Sequence, residues 1–169
     1  MKLNNIKPAE NGQLQVVVET PKGSAHKYDY DRKKQIFQLN KIMPMGMVFP
    51  YDFGFIPGTK GGDGDPLDVL ILMDSALIQG SLICCRPLAL LEAVQQERDK
   101  SKERNDRIIA TSVFSPVFTE PEKFIAEHGV LLHQIETFFI EYNKLAGKEF
   151  KPVRWKGPKA VFNLVSESR

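Results

Sequence analysis

Glycine, proline and aspartate residues cut the chain between Leu14 and Thr111 into short apolar pieces, and this pattern constrains the fold more than any other feature. The first piece, Leu14 to Glu19, is rich in β-branched residues and ends at the turn cluster of residues 20–23. Short runs of this kind, bounded by turn residues, are typical of β-strands. Several of them in succession favour a small, mostly antiparallel barrel.

Five further segments have the strand pattern, and the first two are predicted to form a hairpin across residues 31–34. In chain order the segments are Lys27–Tyr30, Gln35–Asn40, Leu67–Met73, Leu82–Ala93 and Arg107–Val113. A stretch of mixed charge, residues 96–106, separates the last two segments. We expect most of it to be a solvent-exposed hairpin loop.

After Pro121 the apolar spacing becomes that of helices. The residues spaced by four, three, four and three are Leu131, Ile135, Phe138, Tyr142 and Leu145. They predict the buried face of an amphipathic helix that ends at Gly147. A second helix is predicted to begin at Pro158 and to bury Val161, Leu164 and Val165. The sequence therefore predicts an α+β protein, a β-barrel with two peripheral C-terminal helices, in a single domain spanning residues 1–169.

The charge balance and the cysteine content limit the classes of partner. The 169 residues include 23 Lys and Arg against 21 Asp and Glu, a formal net charge of +2, so we expect no nucleic-acid partner. The two cysteines, Cys84 and Cys85, are adjacent and form no disulfide framework, which fits a reducing compartment. No stretch approaches the ~18 apolar residues of a membrane span, and no apolar leader is present near Met1. We therefore expect a cytoplasmic protein without a membrane partner.

The run from Asp63 to Leu70, DGDPLDVL in one-letter code, is the strongest chemical signal. It places three carboxylates within six residues, and such close carboxylates repel one another unless a cation joins them. Gly64 permits a sharp turn and Pro66 restrains its neighbour, so the three acids can converge. Carboxylate oxygens suit Mg²⁺, Mn²⁺ or Ca²⁺. The alternative is a polar turn with surface aspartates.

Several other kinds of site are excluded. A calcium-binding EF-hand needs Gly and Glu where Asp68 and Asp74 stand, and no phosphate-binding P-loop, dinucleotide fingerprint or serine nucleophile elbow is present. His26, His128 and His133 lack the spacing of zinc ligands, so we expect them at the surface or at an interface. Lysines do precede the acidic run, and cations beside metal-binding acids are typical of a site for a polyanion.

The order of these motifs resembles that of the soluble family I inorganic pyrophosphatases. Glu19 ends a valine-rich strand, and Lys27-Tyr28-Asp29, Lys41 and the aromatic segment 49–56 precede the acidic run. The run DGDPLDV matches the family signature without a mismatch, and the similarity extends from about Gln15 to Lys156.

The resemblance implies a five-stranded, OB-like closed barrel that hydrolyses pyrophosphate with a metal-activated water. It also implies Mg²⁺ as cofactor, with Mn²⁺ as an alternative, and assembly into a homohexamer. The implied metal ligands are Asp63, Asp65, Asp68, Glu19, Asp29 and Asp106. Among them Asp65 is the implied catalytic residue, which takes the proton of the nucleophilic water, while Glu19 and Asp29 act through water. The implied substrate-binding residues are Lys27, Lys41, Phe53, Arg107 and Tyr142.

The chain also departs from the family pattern. The family has arginine at position 41, glutamate at 29, and lysine at 143, where this chain has Lys41, Asp29 and Asn143. It has tyrosine where Phe49, Phe53 and Phe55 stand. The resemblance implies that the hydroxyl groups lost at Phe49 and Phe53 remove hydrogen bonds to phosphate or within the site.

A family pattern Asp-x-Lys aligns with residues 105–107, so the acidic ligand has become Asn105 or has moved one place to Asp106. A shift of one residue along a strand reverses the face of the side chain. A second acid of the family has Glu97 or Asp99 as its candidates. Two alternatives therefore stand beside pyrophosphate hydrolysis: hydrolysis of another phosphoanhydride, and a weakened protein that binds metal or phosphate without catalysis.

Overall fold

A computed structural model describes residues 3, 5–97 and 100–169. Within this part of the chain the strands are β1 (Ala9–Glu10), β2 (Gln13–Thr20), β3 (His26–Asp31), β4 (Ile36–Ile42), β5 (Asp52–Phe55), β6 (Asp68–Ile71), β7 (Leu82–Glu97), β8 (Glu103–Arg104), β9 (Arg107–Ser112) and β10 (Lys148–Lys156). The helices are a 3₁₀ turn (Pro121–Lys123), α1 (Phe124–Glu127), α2 (Gly129–Leu145) and α3 (Pro158–Glu167). None of these helices is long and apolar enough to cross a membrane.

Five strands form a closed ring. β2 pairs with β5, β5 with β6, β6 with β9, β9 with β7, and β7 pairs again with β2. Every pairing is antiparallel except that of β6 with β9. The predicted five-stranded, OB-like barrel is confirmed.

The strand β7 is 16 residues long and holds much of the barrel together. Its beginning pairs with β2, its middle with β9 and its end with β10. The register with β9 shifts between Pro87 and Ala89. Such an irregularity is where a strand accepts proline, because proline cannot donate to the ladder.

The predicted hairpin is present as β3 and β4, but it forms a two-stranded sheet of its own beside the barrel. Four strands of the described residues were not predicted from the sequence: the two-residue strands β1 and β8, and the longer β5 and β10. β5 contains Gly54, where a Cβ atom would collide with the carbonyl oxygen of Val17 on β2. A requirement of this kind depends on the neighbouring strand, so local sequence does not reveal it.

The side chains of the barrel strands divide between two apolar clusters. On β6, Val69 and Ile71 belong to one cluster, while Leu70 belongs to the other. This alternation follows from the two-residue period of a strand. α3 packs on the first cluster through Val161 and Val165, as predicted, and Leu164 beside them is half-buried.

The predicted buried face of α2 was wrong by about one residue. The buried residues are Leu132, Ile135, Phe139 and Asn143, whereas Leu131, Phe138 and Tyr142 are half-buried and Leu145 is exposed. The unpredicted strand β10 explains the difference, because Phe139 packs on Phe150 of that strand with ring centroids 5.8 Å apart. The helix ends as expected, before Gly147 at a φ of +73°.

Candidate active site

A pocket of about 500 Å³ lies between the β3–β4 hairpin, the end of the barrel and α2. Six carboxylates and six cations line it. The carboxylates are Glu19, Asp29, Asp31, Asp63, Asp65 and Asp68, and the cations are Lys27, Arg32, Lys33, Lys41, Arg107 and Lys148. A pocket with equal numbers of both charges suits a ligand that carries both, such as a metal ion with a polyanion.

The hairpin brings two lysines and an aspartate to one wall of the pocket. Lys27 and Asp29 are two residues apart on β3, so they share a face, and Lys27 lies opposite Lys41 on β4. Lys27 donates to Asp29, and its ammonium lies 5.5 Å from the ring centre of Phe53. The Lys41 ammonium lies 4.7 Å from the ring centre of Tyr142 on α2. Both lysines are therefore held by aromatic rings on one side.

The loop that carries Asp63 and Asp65 is held by hydrogen bonds among residues 61–65. The amide of Gly61 donates to the carbonyl of Asp65 at 2.6 Å, and the amide of Asp65 donates to Oδ1 of Asp63 at 3.1 Å. Gly64 has a φ of +89°, a value that glycine adopts without strain. Both aspartates are exposed to the pocket, while Asp68 follows at the first position of β6.

Glu19 is the buried acid of the pocket, 8% exposed near the end of β2. Its Oε1 accepts the amide hydrogen of Tyr30 at 2.8 Å. Burial raises the pKa of Glu19 to about 7, although the nearby Lys27 ammonium opposes the shift. Burial also raises the pKa of Asp68, against the influence of Arg107. For Lys27, burial lowers the pKa while Asp29 and Glu19 raise it, and the net direction is upward.

The opposite wall is formed by β7 and by the beginning of β9. Arg107 Nη1 lies 2.8 Å from Oδ2 of Asp68 in an ion pair and donates to Oδ1 of Asn105. The side-chain Nδ2 of Asn105 donates to Oε1 of Gln95 at 3.0 Å. Two neutral amides and a guanidinium thus line this wall beside Asp68.

The structure brings most of the predicted site residues together. The predicted residues that line the pocket are Glu19, Lys27, Asp29, Lys41, Asp63, Asp65, Asp68, Arg107 and Tyr142. Asp106 does not belong with them, because its Oδ2 contacts Arg104 at 2.6 Å and its Oδ1 accepts the amide of Ala93. Asp106 instead lines a neighbouring pocket of about 270 Å³, where Asp63, Asp68 and Asn105 also lie.

Phe53 also lies outside the lining, buried beneath the Lys27 ammonium, so it supports a lysine and does not itself face the pocket. Glu97 contacts Lys148 at 2.7 Å outside the lining, and Asp99 lies outside the described residues. Lining residues that were not predicted from the sequence include Asp31, Arg32 and Lys33 at the end of the hairpin, together with Gln95 and Lys148. The two-residue alternation along β7 was the available signal for Gln95, whereas Lys148 belongs to a strand that was not predicted.

The donor set fits a divalent cation. The carboxylates of Glu19, Asp63, Asp65 and Asp68 offer oxygen atoms only, which is the preference of Mg²⁺ and Mn²⁺. The upward pKa directions of Glu19 and Asp68 indicate acids with too little positive charge nearby to offset their burial. As placed, no three acidic, histidine or cysteine side chains of the described residues converge on one point. Side-chain rotation is therefore needed for them to share a cation.

Comparison with known proteins gives one consistent result. The family model for inorganic pyrophosphatase matches residues 16–169. An inorganic pyrophosphatase of Synechocystis is 33% identical over 156 residues, which is 92% of this chain and 89% of that protein. One of Methanosarcina acetivorans is 33% identical over 154 residues, 91% of this chain and 89% of that protein. The crystal structure of the Thermus thermophilus inorganic pyrophosphatase superposes with a TM-score of 0.88 at 26% identity, covering 99% of this chain and 97% of that one.

Proposed function

The chain belongs to the inorganic pyrophosphatase family, it is a hydrolase of pyrophosphate, and we propose that the pocket beside the β3–β4 hairpin is where this reaction takes place. The observation that carries the proposal is the meeting of the acidic loop and the lysines of the hairpin. These two motifs are more than twenty residues apart in the sequence, and they line the same pocket.

The reaction uses a divalent metal ion, and the ion proposed is Mg²⁺, with Mn²⁺ as the alternative. Asp63, Asp65 and Asp68 would hold it directly, and Glu19 and Asp29 through water. When bound, such an ion lowers the pKa of a water molecule and offsets the negative charge of the leaving phosphate.

Asp65 is the proposed general base. It is exposed to the pocket at the tip of a hydrogen-bonded loop, so its carboxylate can take a proton from a water molecule beside it. Lys27, Lys41 and Arg107 are the proposed phosphate-binding cations, because they line the same pocket. Burial raises the pKa of Tyr142 to about 12, so its phenol stays protonated and can donate to a phosphate oxygen.

The test is phosphate release from pyrophosphate, a short polyphosphate and a nucleoside triphosphate, each with Mg²⁺, with Mn²⁺ and with a chelator. We expect rapid release from pyrophosphate, only with a metal. Faster release from polyphosphate or the nucleotide would favour hydrolysis of another phosphoanhydride. Mn²⁺ binding without release from any substrate would favour a non-catalytic binding protein.

The resemblance to the bacterial family members extends the proposal to a cytoplasmic homohexamer. Large exposed apolar side chains support assembly, among them Ile78 at 78%, Phe114 at 89% and Val130 at 77% exposure. The free thiols of Cys84 and Cys85 fit a reducing compartment. Light scattering during size-exclusion chromatography tests the assembly, and a monomeric mass would contradict it.

A further inference from the structure

Asp68 is a carboxylate of the proposed metal site that already has a cationic partner within the chain. Its Oδ2 lies 2.8 Å from Nη1 of Arg107, and the Arg107 side chain is only 5% exposed. A guanidinium is always charged in proteins, so no change of pH removes this partner. A cation this close offsets part of the negative charge that the carboxylate can offer to a metal ion.

Neighbouring groups hold the guanidinium in this position. Asn105 Oδ1 accepts from the same Nη1, and the backbone carbonyl of Asp106 accepts from it at 3.1 Å. The guanidinium carbon lies 5.2 Å from the ring centre of Phe139 and 5.5 Å from that of Phe150. Since Gln95 in turn accepts from Asn105, the whole wall of β7 and β9 fixes Arg107 against Asp68.

We propose that Arg107 competes with the divalent metal ion for Asp68, so that the metal binds only when the guanidinium leaves this carboxylate. The proposal rests on the proposed function, because it takes the acidic loop as the metal site. The geometry supports it, since the acids do not converge as placed and the guanidinium already contacts one of the two oxygens of Asp68. Arg107 therefore sets the metal affinity of the pocket.

Lys148 provides a matched control. It lines the same pocket, but the ion pair it forms is with Glu97, at 2.7 Å, outside the lining. Replacing either Arg107 or Lys148 by methionine removes one positive charge from the pocket. Only the Arg107 replacement also frees a carboxylate of the proposed metal site. A direct competition and a general effect of charge therefore predict different results.

The experiment is a calorimetric titration of Mn²⁺, without substrate, into the wild type, Arg107→Met, Arg107→Gln and Lys148→Met. We expect both Arg107 variants to bind Mn²⁺ about ten- to hundredfold more tightly, the range that corresponds to the loss of one close contact between charged groups. For Lys148→Met we expect a change of about threefold or less, because salt screens charges that make no direct contact. The glutamine variant offers an amide to Asn105 in case methionine destabilises the fold.

Unchanged Mn²⁺ affinity in the Arg107 variants, or equal tightening in Lys148→Met, would overturn the competition while the metal site itself stands. A complete lack of Mn²⁺ binding in the wild type and in all three variants would overturn the metal site, and with it both this inference and the proposed function. Binding by the Arg107 variants alone would support the competition in its strongest form.

Discussion

Replacing Glu19 by glutamine should stabilise the folded chain at high pH when no divalent metal is present. Glu19 is 8% exposed, and burial raises its pKa from an ordinary 4.5 to about 7. One pH unit corresponds to about 1.36 kcal/mol, so ionised Glu19 destabilises the folded chain by about 3 kcal/mol. Glutamine carries no charge, and its side-chain oxygen can still accept the amide hydrogen of Tyr30.

The sign of the pH dependence follows from the proton count. Between about pH 4.5 and pH 7 the folded chain holds the Glu19 proton more tightly than the unfolded chain does, so the free energy of unfolding falls as the pH rises through this window. Below about pH 4.5 both states are protonated, and the difference between the variant and the wild type vanishes. At pH 5 the difference should be below about 1 kcal/mol, and at pH 8 about 3 kcal/mol in favour of the variant.

The assay is urea denaturation of the wild type and Glu19→Gln at pH 5 and at pH 8, with a chelator present. The slopes of the free energy of unfolding against urea should match, so that the midpoints report stability. A difference between the two proteins that is the same at both pH values would show that the ionisation of Glu19 does not set their relative stability. So would a less stable variant at pH 8, because burial of an ionised carboxylate would then not be the dominant effect.

Two further substitutions test the fold and the phosphate-binding wall. Gly54→Ala should prevent the pairing of β5 with β2, because the added Cβ collides with the carbonyl oxygen of Val17. We therefore expect little folded protein by circular dichroism. A normal melting curve would contradict the close approach of β5 to β2. Lys41→Met should raise KM for pyrophosphate about tenfold with a smaller effect on kcat, as expected for the loss of one charge-assisted contact to bound substrate. Steady-state kinetics measures both constants, and an unchanged KM would remove Lys41 from the substrate site.

The sequence predicted the parts of the fold that local patterns encode. The β-branched strand β2, the hairpin of β3 and β4 and the helix that begins at Pro158 all have a period or a turn signal within a few residues. β10 has no such signal, because it is a charged segment that becomes a strand by pairing with the end of β7. Missing it displaced the predicted buried face of α2, since Phe150 on β10 selects which side of the helix is covered.

The candidate site divides in the same way. Asp63, Asp65 and Asp68 lie within six residues, so their proximity could be read directly from the sequence. The ion pair of Asp68 with Arg107 joins residues that are 39 positions apart, brought together by the pairing of β6 with β9. A contact of this kind depends on the barrel topology, so no local sequence motif predicts it.

Asp106, just before β9, shows how much one position matters in a binding site. Motif alignment left Asn105 and Asp106 as alternatives, because a sequence alone does not fix which residue faces the pocket. Asn105 lies in the lining of the pocket. The two carboxylate oxygens of Asp106 contact the Arg104 side chain and the backbone amide of Ala93. The pocket therefore has an amide where the resemblance implies an acid, which makes metal affinity the property in which this chain should differ most from its relatives.

The location of the active site is best tested by comparing Mg²⁺-dependent phosphate release from pyrophosphate by the wild type, Asp65→Asn and Asp106→Asn. Each substitution removes one carboxylate, but only Asp65 faces the pocket. We expect Asp65→Asn to lose about 10²- to 10⁴-fold in kcat, as the loss of a general base implies, and Asp106→Asn to keep kcat within about threefold of the wild type. Full activity in Asp65→Asn, or a comparable loss in Asp106→Asn, would contradict the assignment of Asp65 as the general base of this pocket.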